Sequence, residues 1–208
     1  SEMCIRDSYK TGRKSFDLSD VRYGLGIQML LYLFTLEKEG QSCFGYPIVP
    51  AGVLYHPARD LILKTERDIT PEALRRAMDR ELRRDGMVLG DAEVLLAMEQ
   101  SALEAPCFLP IQVNKDGGIS GGVATAAQLG RLGQYVEKLL HQITRELRQG
   151  NIDADPCWRG PQESACTYCD FASACHFQDG QADDRLRPLK RVKPDEFWEF
   201  VAHETGEE

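Results

Sequence analysis

Apolar residues recur at helical spacing in two long stretches of the chain. From about residue 20 to 39, one face carries apolar side chains three and four positions apart: Val21, Leu25, Met29, Leu33 and Leu36. From about residue 124 to 148, the corresponding positions are Leu129, Leu132, Val136, Leu139, Ile143 and Leu147. The spacing predicts two long helices, of which the first ends at Gly40 and the second is capped by Gly150.

Shorter elements are predicted between and after these helices. Thr70-Pro71 is typical of a helix start and predicts a helix to about residue 84, and another helix is predicted over residues 91–100. Short apolar runs predict a strand at 48–55 with a candidate partner at 61–63, and a hairpin of 108–113 with 118–120. From residue 153 the chain changes to short loops with proline and cysteine, which indicates a small lobe that depends on a bound metal.

The composition bounds the class of protein. The chain has 208 residues, of which 42% are hydrophobic and 28% are charged, as in one or two soluble globular domains. Its seven cysteines are too few and too scattered for a secreted disulfide framework, and no signal peptide is recognised, so a cytoplasmic location is expected. The longest apolar run, residues 30–36, is too short for a bilayer span of about 20 residues, so no membrane contact is expected.

The charge pattern leaves nucleic-acid binding open. The formal net charge of −8 argues against attraction by the whole surface, but not against local basic segments. In residues 70–85 the arginines alternate with acidic residues, which is typical of a solvated helix with internal ion pairs. A second run is less balanced and contains Arg185, Arg187, Lys190, Arg191 and Lys193. This run is compatible with contact to a DNA backbone, with docking on a neighbouring domain, or with a solvated linker.

Three cysteines lie close together in the run Cys166-Thr-Tyr-Cys169-Asp-Phe-Ala-Ser-Ala-Cys175. Thiolates grouped this tightly repel one another unless a cation shares their charge, so the spacing favours a metal site. An iron–sulfur cluster or a structural zinc ion needs one further ligand, and Cys157 is the nearest cysteine in sequence. The spacing alone leaves iron–sulfur and zinc open.

A second candidate site involves Lys10, Gln28 and Tyr32. Gln28 and Tyr32 are four residues apart in the first predicted helix and therefore share a face. Lys10 lies in Tyr9-Lys10-Thr11-Gly12, where a predicted strand breaks into a turn. A lysine beside such a helix suits stabilisation of an anionic transition state or orientation of a water molecule. The alternative interpretation is structural, with Gln28 bonded to a loop carbonyl and the polar ends of Tyr32 and Lys10 at the surface.

Several runs of residues form an ordered set of motifs. They are Ser8-Tyr9-Lys10-Thr11-Gly12, Asp17-Leu-Ser-Asp20-Val, Tyr23-Gly-Leu-Gly-Ile-Gln28-Met-Leu-Leu-Tyr32-Leu and Ala165-Cys166-Thr-Tyr-Cys169-Asp-Phe-Ala-Ser-Ala-Cys175. In this order they resemble the end of the nuclease domain and the C-terminal cysteine set in the B subunit of AddAB-type ATP-dependent helicase/deoxyribonucleases. The likeness extends from Tyr9 to about Phe177.

The resemblance implies an α/β fold, namely a partial restriction-endonuclease-like (PD-(D/E)XK) nuclease core with added helices and a small C-terminal iron–sulfur cysteine lobe. Lys10 corresponds to the lysine of the family's Asp-x-Lys pair, and Gln28 and Tyr32 correspond to a helix pair that borders the site. The aspartate of that pair, a Mg²⁺ ligand, falls on Ser8, and a hydroxyl cannot replace a carboxylate's charge at Mg²⁺. The family's Mg²⁺ ligands are therefore expected to be absent from this chain.

The cysteine run carries a further implication. By the resemblance, Cys166, Cys169 and Cys175 hold a [4Fe–4S] cluster for structural reasons. The fourth cysteine of the family lies far upstream of the nuclease core, and Cys157 is a weaker local alternative.

The resemblance also implies how the chain is organised. Residues 1–8 resemble a translated sequencing adapter and are predicted to be a non-native leader. Residues 9–152 then correspond to the C-terminal part of the nuclease domain, 153–180 to the iron–sulfur lobe and 181–208 to a C-terminal tail. The chain is expected to be an N-terminally truncated fragment.

The function implied is that of a Mg²⁺-dependent DNA exonuclease, a hydrolase of a helicase–nuclease complex. It would act with the A subunit in double-strand break end resection and recombinational DNA repair, and the isolated fragment is expected to be inactive. The alternative is a non-catalytic iron–sulfur or zinc module that binds DNA or a partner protein. Ser8, at the position of a metal-binding aspartate, supports the alternative.

Overall fold

The computed structural model describes residues 8, 14–58, 62–65, 68–181 and 184–206. The helices within these ranges are α1 (Leu18–Arg22), α2 (Gln28–Phe44), α3 (Pro71–Glu81), α4 (Ala92–Met98), α5 (Ala126–Arg148), α6 (Ala172–Cys175) and α7 (Pro194–Glu204). The strands are β1 (Gly52–Tyr55), β2 (Asp85–Leu89), β3 (Ile111–Val113), β4 (Ile119–Gly121), β5 (Val123–Ala124), β6 (Cys157–Trp158) and β7 (Arg187–Pro188). The expected mixed α/β class is confirmed.

The chain divides into two compact units that are not continuous in sequence. The first unit comprises Ile27–Gly133 together with the described residues before Leu18. The second comprises Leu18–Gly26 and the chain from Gln134 onward. The predicted division into a leader, a nuclease part, a cysteine lobe and a tail stays a prediction.

The first unit is built on a three-stranded sheet in the order β1-β2-β5. β1 runs antiparallel to β2, and β2 runs parallel to β5. Four of the five residues of β2 are buried, as expected of a central strand whose two faces are both covered. β3 and β4 form the antiparallel hairpin predicted from the sequence. The core that joins the sheet to this hairpin consists of Val88, Leu95, Ala102, Leu109 and Ile111.

The first predicted helix is interrupted. α1 and α2 are separated by residues 23–27, where Gly24 and Gly26 have φ of 76° and 66°, a left-handed conformation that glycine adopts at little cost. The predicted stop at Gly40 is wrong, because α2 continues beyond it. Gly40 is buried, and a Cβ there would lie 2.6 Å from Cγ1 of Ile48. This glycine therefore permits close packing rather than ending the helix.

The predicted start of α3 is confirmed. The Thr70 hydroxyl accepts from the Ala73 backbone N–H at 3.3 Å, although the helix ends at Glu81 rather than near residue 84. α5 is also found close to the predicted bounds. Thr125 and Gln128 cap its start reciprocally, because each side chain accepts from the other's backbone N–H, at 3.1 and 2.8 Å.

The predicted pairing of residues 48–55 with 61–63 is wrong. β1 is shorter than predicted and pairs with β2, with Val53 opposite Met87. Ile62 is 91% exposed and outside any strand, and Leu61 lies outside the described residues. The sequence analysis did not predict β2.

The second unit buries one face of α7, a helix in the segment that was predicted from the sequence to be a tail. Phe197 and Val201 of α7 are fully buried, and α1 packs against this helix. The Tyr135 ring of α5 packs edge-on against Phe200 with centroids 5.4 Å apart, and its hydroxyl donates to the Arg22 carbonyl at 2.5 Å. Burial, then the nearby Glu204 charge, raises the pKa of Tyr135 to about 12, so the phenol keeps its proton at neutral pH.

No helix within the described ranges is both long enough and apolar enough for a bilayer span.

Candidate functional site

Gln28 and Tyr32 form a hydrogen-bonded pair at the start of α2. The helix buries Leu30 and Phe34, which leaves Gln28 exposed and Tyr32 half-buried. Nε2 of Gln28 donates to the Tyr32 hydroxyl at 2.9 Å. The prediction that the two side chains share a face is confirmed, and their hydrogen bond orients the Gln28 amide.

Lys10 lies outside the described residues, as does the rest of Tyr9-Lys10-Thr11-Gly12, so its place beside α2 stays a prediction. Ser8 is described; it is half-buried and belongs to no helix or strand. Within the described part of the chain, no group of three or more His, Cys, Asp or Glu side chains is placed to hold a metal ion. The described residues therefore do not supply a carboxylate set for Mg²⁺.

Cys157 lies at the base of the cysteine lobe, in the second unit. Its strand β6 pairs with β7 in parallel. Its carbonyl accepts from the Ala165 backbone N–H at 2.9 Å, so the chain returns to β6 immediately before Cys166. Cys157 is half-buried. The backbone thus brings the weaker fourth candidate to the beginning of the cysteine run.

Cys166, Cys169 and Cys175 are free thiols, and all three are exposed. The Cys169 backbone N–H donates to the Cys166 carbonyl at 3.4 Å in a turn, and Cys175 is the last residue of α6. The thiols are not gathered into a ligand group within the described structure. The predicted cluster therefore stays a prediction.

The segment that carries these thiols has no core of its own. Residues 161–181 are all described and none of them is buried, while Tyr168 and Phe171 are 93% and 74% exposed. A segment without buried side chains needs a metal or another covering surface to hold its shape. Thiols are the donors that iron–sulfur clusters and structural zinc sites use. The donor chemistry and the missing core therefore fit a thiolate-bound metal.

A polar clamp, which sequence analysis missed, holds residues 107–111. The Glu99 carboxylate accepts from the backbone N–H groups of Cys107 at 2.5 Å, Phe108 at 3.1 Å and Leu109 at 3.0 Å. Burial raises the pKa of Glu99, but these backbone bonds outweigh it, so the pKa lies below its ordinary value. The backbone N–H groups of residues 107–109 thus donate to an ionised carboxylate.

Arg83 completes the clamp by binding backbone carbonyl groups of residues 107–111. Its guanidinium donates to the Leu109 carbonyl at 3.1 Å and also to the Ile111 carbonyl. The charge pattern predicted that this arginine lies on a solvated helix, and that prediction is wrong because Arg83 lies beyond the end of α3 and is half-buried. No sequence signal identified Glu99 or Arg83. Glu99 contacts backbone groups 8 to 10 residues away in the chain, and Arg83 contacts groups 26 and 28 residues away.

Comparison with known proteins gives one family and a consistent set of relatives. The profile of the PD-(D/E)XK nuclease superfamily matches residues 2–176. The B subunit of the ATP-dependent helicase/deoxyribonuclease of Acetivibrio thermocellus is 34% identical over 201 residues, which cover 96% of this chain and 18% of that protein. The proteins of the same name from Thermoanaerobacter sp. strain X514 and Bacillus thuringiensis are 34% and 32% identical over 206 and 205 residues, which cover 96% of this chain and 17% of each protein. The chain spans less than a fifth of the length of these relatives.

Proposed function

Because the chain belongs to the PD-(D/E)XK nuclease superfamily, we propose that it carries part of the active site of a DNA exonuclease within a helicase–nuclease complex. The family match over residues 2–176 carries this proposal, and it includes the bonded pair of Gln28 and Tyr32. The relatives are named as the B subunit of an ATP-dependent helicase/deoxyribonuclease. We therefore propose an A subunit as partner and linear DNA as substrate, with a role in double-strand break end resection and recombinational repair.

The residues of this chain would position the reacting phosphate. The ammonium of Lys10 would stabilise the negative charge that develops as the phosphodiester is attacked. Gln28, oriented by its bond to Tyr32, would hold a water molecule or a phosphate oxygen. Mg²⁺, when bound, would supply charge neutralisation and a more acidic water molecule. We place its carboxylate ligands outside the described residues, because Ser8 stands in this chain where the family has a carboxylate.

The cysteine lobe would have a structural role. We propose that Cys166, Cys169 and Cys175 bind a [4Fe–4S] cluster, because their segment has three free thiols and no buried side chain. The cluster would hold the lobe against the rest of the longer protein through a fourth ligand. Cys157 is the local alternative for that ligand.

A chimera tests the catalytic proposal. Residues 9–208 replace the matching segment of the B subunit from Acetivibrio thermocellus, which is expressed with its own A subunit. We expect degradation of linear duplex DNA in ATP and Mg²⁺, with unwinding measured in parallel as a check on folding. Lys10→Ala should slow degradation about 100-fold or more, as expected for loss of a group that stabilises transition-state charge. Gln28→Ala should slow it by about 10-fold or more.

A glutamine on the same helix provides the matched control. Gln41 is exposed on α2 and its amide donates to the Gly45 carbonyl at 3.0 Å, so Gln41→Ala should leave degradation unchanged. Equal degradation by the chimera and its Lys10→Ala variant would show that the catalytic assignment is wrong. If Gln28→Ala and Gln41→Ala slowed degradation equally, Gln28 would affect cleavage only through the stability of α2.

Position 8 separates the catalytic proposal from the non-catalytic alternative. The chimera is made with the serine of this chain at position 8, and with Ser8→Asp. The catalytic proposal expects cleavage only with the aspartate, because a hydroxyl cannot replace a carboxylate at Mg²⁺. If both forms unwind DNA and neither cleaves it, the alternative of a binding module is supported.

A further inference from the structure

The basic run at residues 185–193, here called the basic strip, is held in place by its backbone. It lies in the second unit and contains β7 and the residues that lead into α7. Its backbone N–H groups are bound at four points: Arg187 to the Pro156 carbonyl at 3.0 Å, Leu189 to the Trp158 carbonyl at 2.8 Å, Lys190 to the Tyr23 hydroxyl at 3.1 Å and Val192 to the Ser19 hydroxyl at 3.0 Å. The strip is therefore an ordered segment, and the interpretation as a plain solvated linker is wrong.

Two acidic residues that precede the strip, Asp179 and Asp184, are bound to the backbone. The Asp184 carboxylate accepts from the Gln178 backbone N–H at 3.0 Å, and Asp179 accepts from the Leu186 backbone N–H at 2.9 Å. The basic side chains of the strip, by contrast, belong to exposed residues. The strip thus presents positive charge to solvent, while the carboxylates of Asp179 and Asp184 are bound within the chain.

The five cations of the strip fall into two groups. Arg185 and Arg187 lie 3.6 and 3.5 Å from the Asp155 carboxylate, but they are 69% and 52% exposed, and exposed ion pairs of this kind are weak. Lys190, Arg191 and Lys193 have no acidic partner within 4.0 Å in the described part of the chain. These three cations are free to meet an external anion.

We propose that the basic strip binds the phosphate backbone of DNA. The inference rests on the proposed function for the identity of the ligand, but it concerns residues other than the pair on α2. Phosphate contacts are made chiefly by arginine and lysine, and because the backbone of the strip is already ordered, only the side chains have to be fixed on binding. An acidic protein partner fits less well, because the apolar residues Leu189 and Val192 are half-buried and the strip offers no exposed aromatic anchor.

Equilibrium binding of a labelled duplex tests this inference in the 208-residue chain. Fluorescence anisotropy is measured in EDTA, so that binding is read without cleavage, at several salt concentrations. Lys190, Arg191 and Lys193 are changed together to glutamine. Loss of three phosphate contacts should lower the magnitude of the slope of log K against log salt by about 3, and the affinity at 0.1 M salt by on the order of 100-fold.

A second variant controls for net charge. Arg75, Arg76 and Arg80 are exposed on α3, where Glu72, Asp79 and Glu81 balance them. Changing these three arginines to glutamine removes the same charge and should alter the affinity by no more than a few-fold. Lys190→Arg with Lys193→Arg should keep both affinity and slope, because charge is conserved.

The outcomes separate this inference from the proposed function. An unchanged slope in the strip variant, or an equal loss in the α3 variant, would overturn the inference whatever the chimera does. Poly-glutamate and unlabelled DNA are also compared, at equal charge, as competitors of the labelled duplex. If they displace it equally well, the inference is overturned in favour of an acidic protein ligand. Loss of cleavage in the chimera with the strip-dependent slope retained would overturn only the catalytic proposal.

Discussion

Removal of the negative charge of Glu99 tests whether this side chain holds residues 107–111. Oε1 of Glu99 accepts from the Cys107 backbone N–H, and Oε2 accepts from Leu109 and Phe108. A glutamine keeps one acceptor oxygen and puts an amino group in place of the other. In Glu99→Gln, at least one backbone N–H therefore faces another donor.

The size of the effect follows from the number of donors affected. A buried polar group left without a partner costs about 1–3 kcal/mol, and bonds to a charged acceptor are worth more than neutral ones. Leu109 is fully buried, whereas Phe108 is 37% exposed and its N–H has better access to water. We therefore expect Glu99→Gln to lower the free energy of unfolding by about 2–3 kcal/mol at neutral pH. Glu99→Ala, which removes both acceptors, should lower it further.

The pH dependence of the unfolding free energy tests the role of the Glu99 charge independently. The pKa of Glu99 is lowered in the folded chain, so its stabilisation is complete above the unfolded pKa of about 4.3 and is lost as pH falls through the folded pKa. The unfolding free energy of the parent chain should therefore fall more steeply in acid than that of Glu99→Gln. The difference between the two proteins should shrink below about pH 4.

Urea unfolding followed by far-ultraviolet circular dichroism measures these differences, and hydrogen exchange of the amides at 107–109 locates them. Glu104→Gln is the matched control, because Glu104 is an exposed acid in the same connection and its loss should change stability by no more than about 0.5 kcal/mol. If Glu99→Gln and Glu104→Gln were equally stable at neutral pH, or if their difference widened in acid, the clamp would not have the role assigned to it.

Further predictions concern the cysteine lobe and one glycine in each of α2 and α5. Cys166→Ser should lower both the amount of iron bound after anaerobic reconstitution and the visible absorbance. Cys43→Ser, which changes an exposed thiol in the other unit, should lower neither. Equal amounts of iron in the two variants would contradict the thiolate site. Gly40→Ala should lower the unfolding free energy by about 1–3 kcal/mol through overpacking. Gly130→Ala, in α5 with no atom within 4 Å of the added Cβ, should raise it by about 0.5–1 kcal/mol, and urea titration of both variants checks the sign.

Long periodic patterns were the most predictive part of the sequence. α5 was found within two residues of its predicted start because its apolar stripe is uninterrupted and Gly150 follows it. The same reasoning joined α1 to α2, because Val21, Leu25 and Met29 continue the stripe across the glycines that break it. Periodicity counts side chains, whereas the break depends on backbone conformation.

Elements held by distant contacts were harder to predict. β2 is a five-residue strand between two helices, and its pairing with β1 and β5 distinguishes it from a loop. α7 did carry local signals, since Pro194 stands at its first position and Phe197 and Val201 are four residues apart, but the basic residues before it drew the interpretation as a tail. In the site, the face shared by Gln28 and Tyr32 followed from spacing alone.

The discontinuous second unit has a consequence for how the chain is made on the ribosome. α1 ends at Arg22, whereas its packing partner α7 begins only at Pro194. At about 5–20 residues per second, translation leaves α1 without that partner for roughly ten to thirty seconds. The first unit has all its segments as soon as Gly133 emerges, so it can fold while α1 still lacks α7. The connectivity thus sets an order of assembly, in which the second unit is completed after the first.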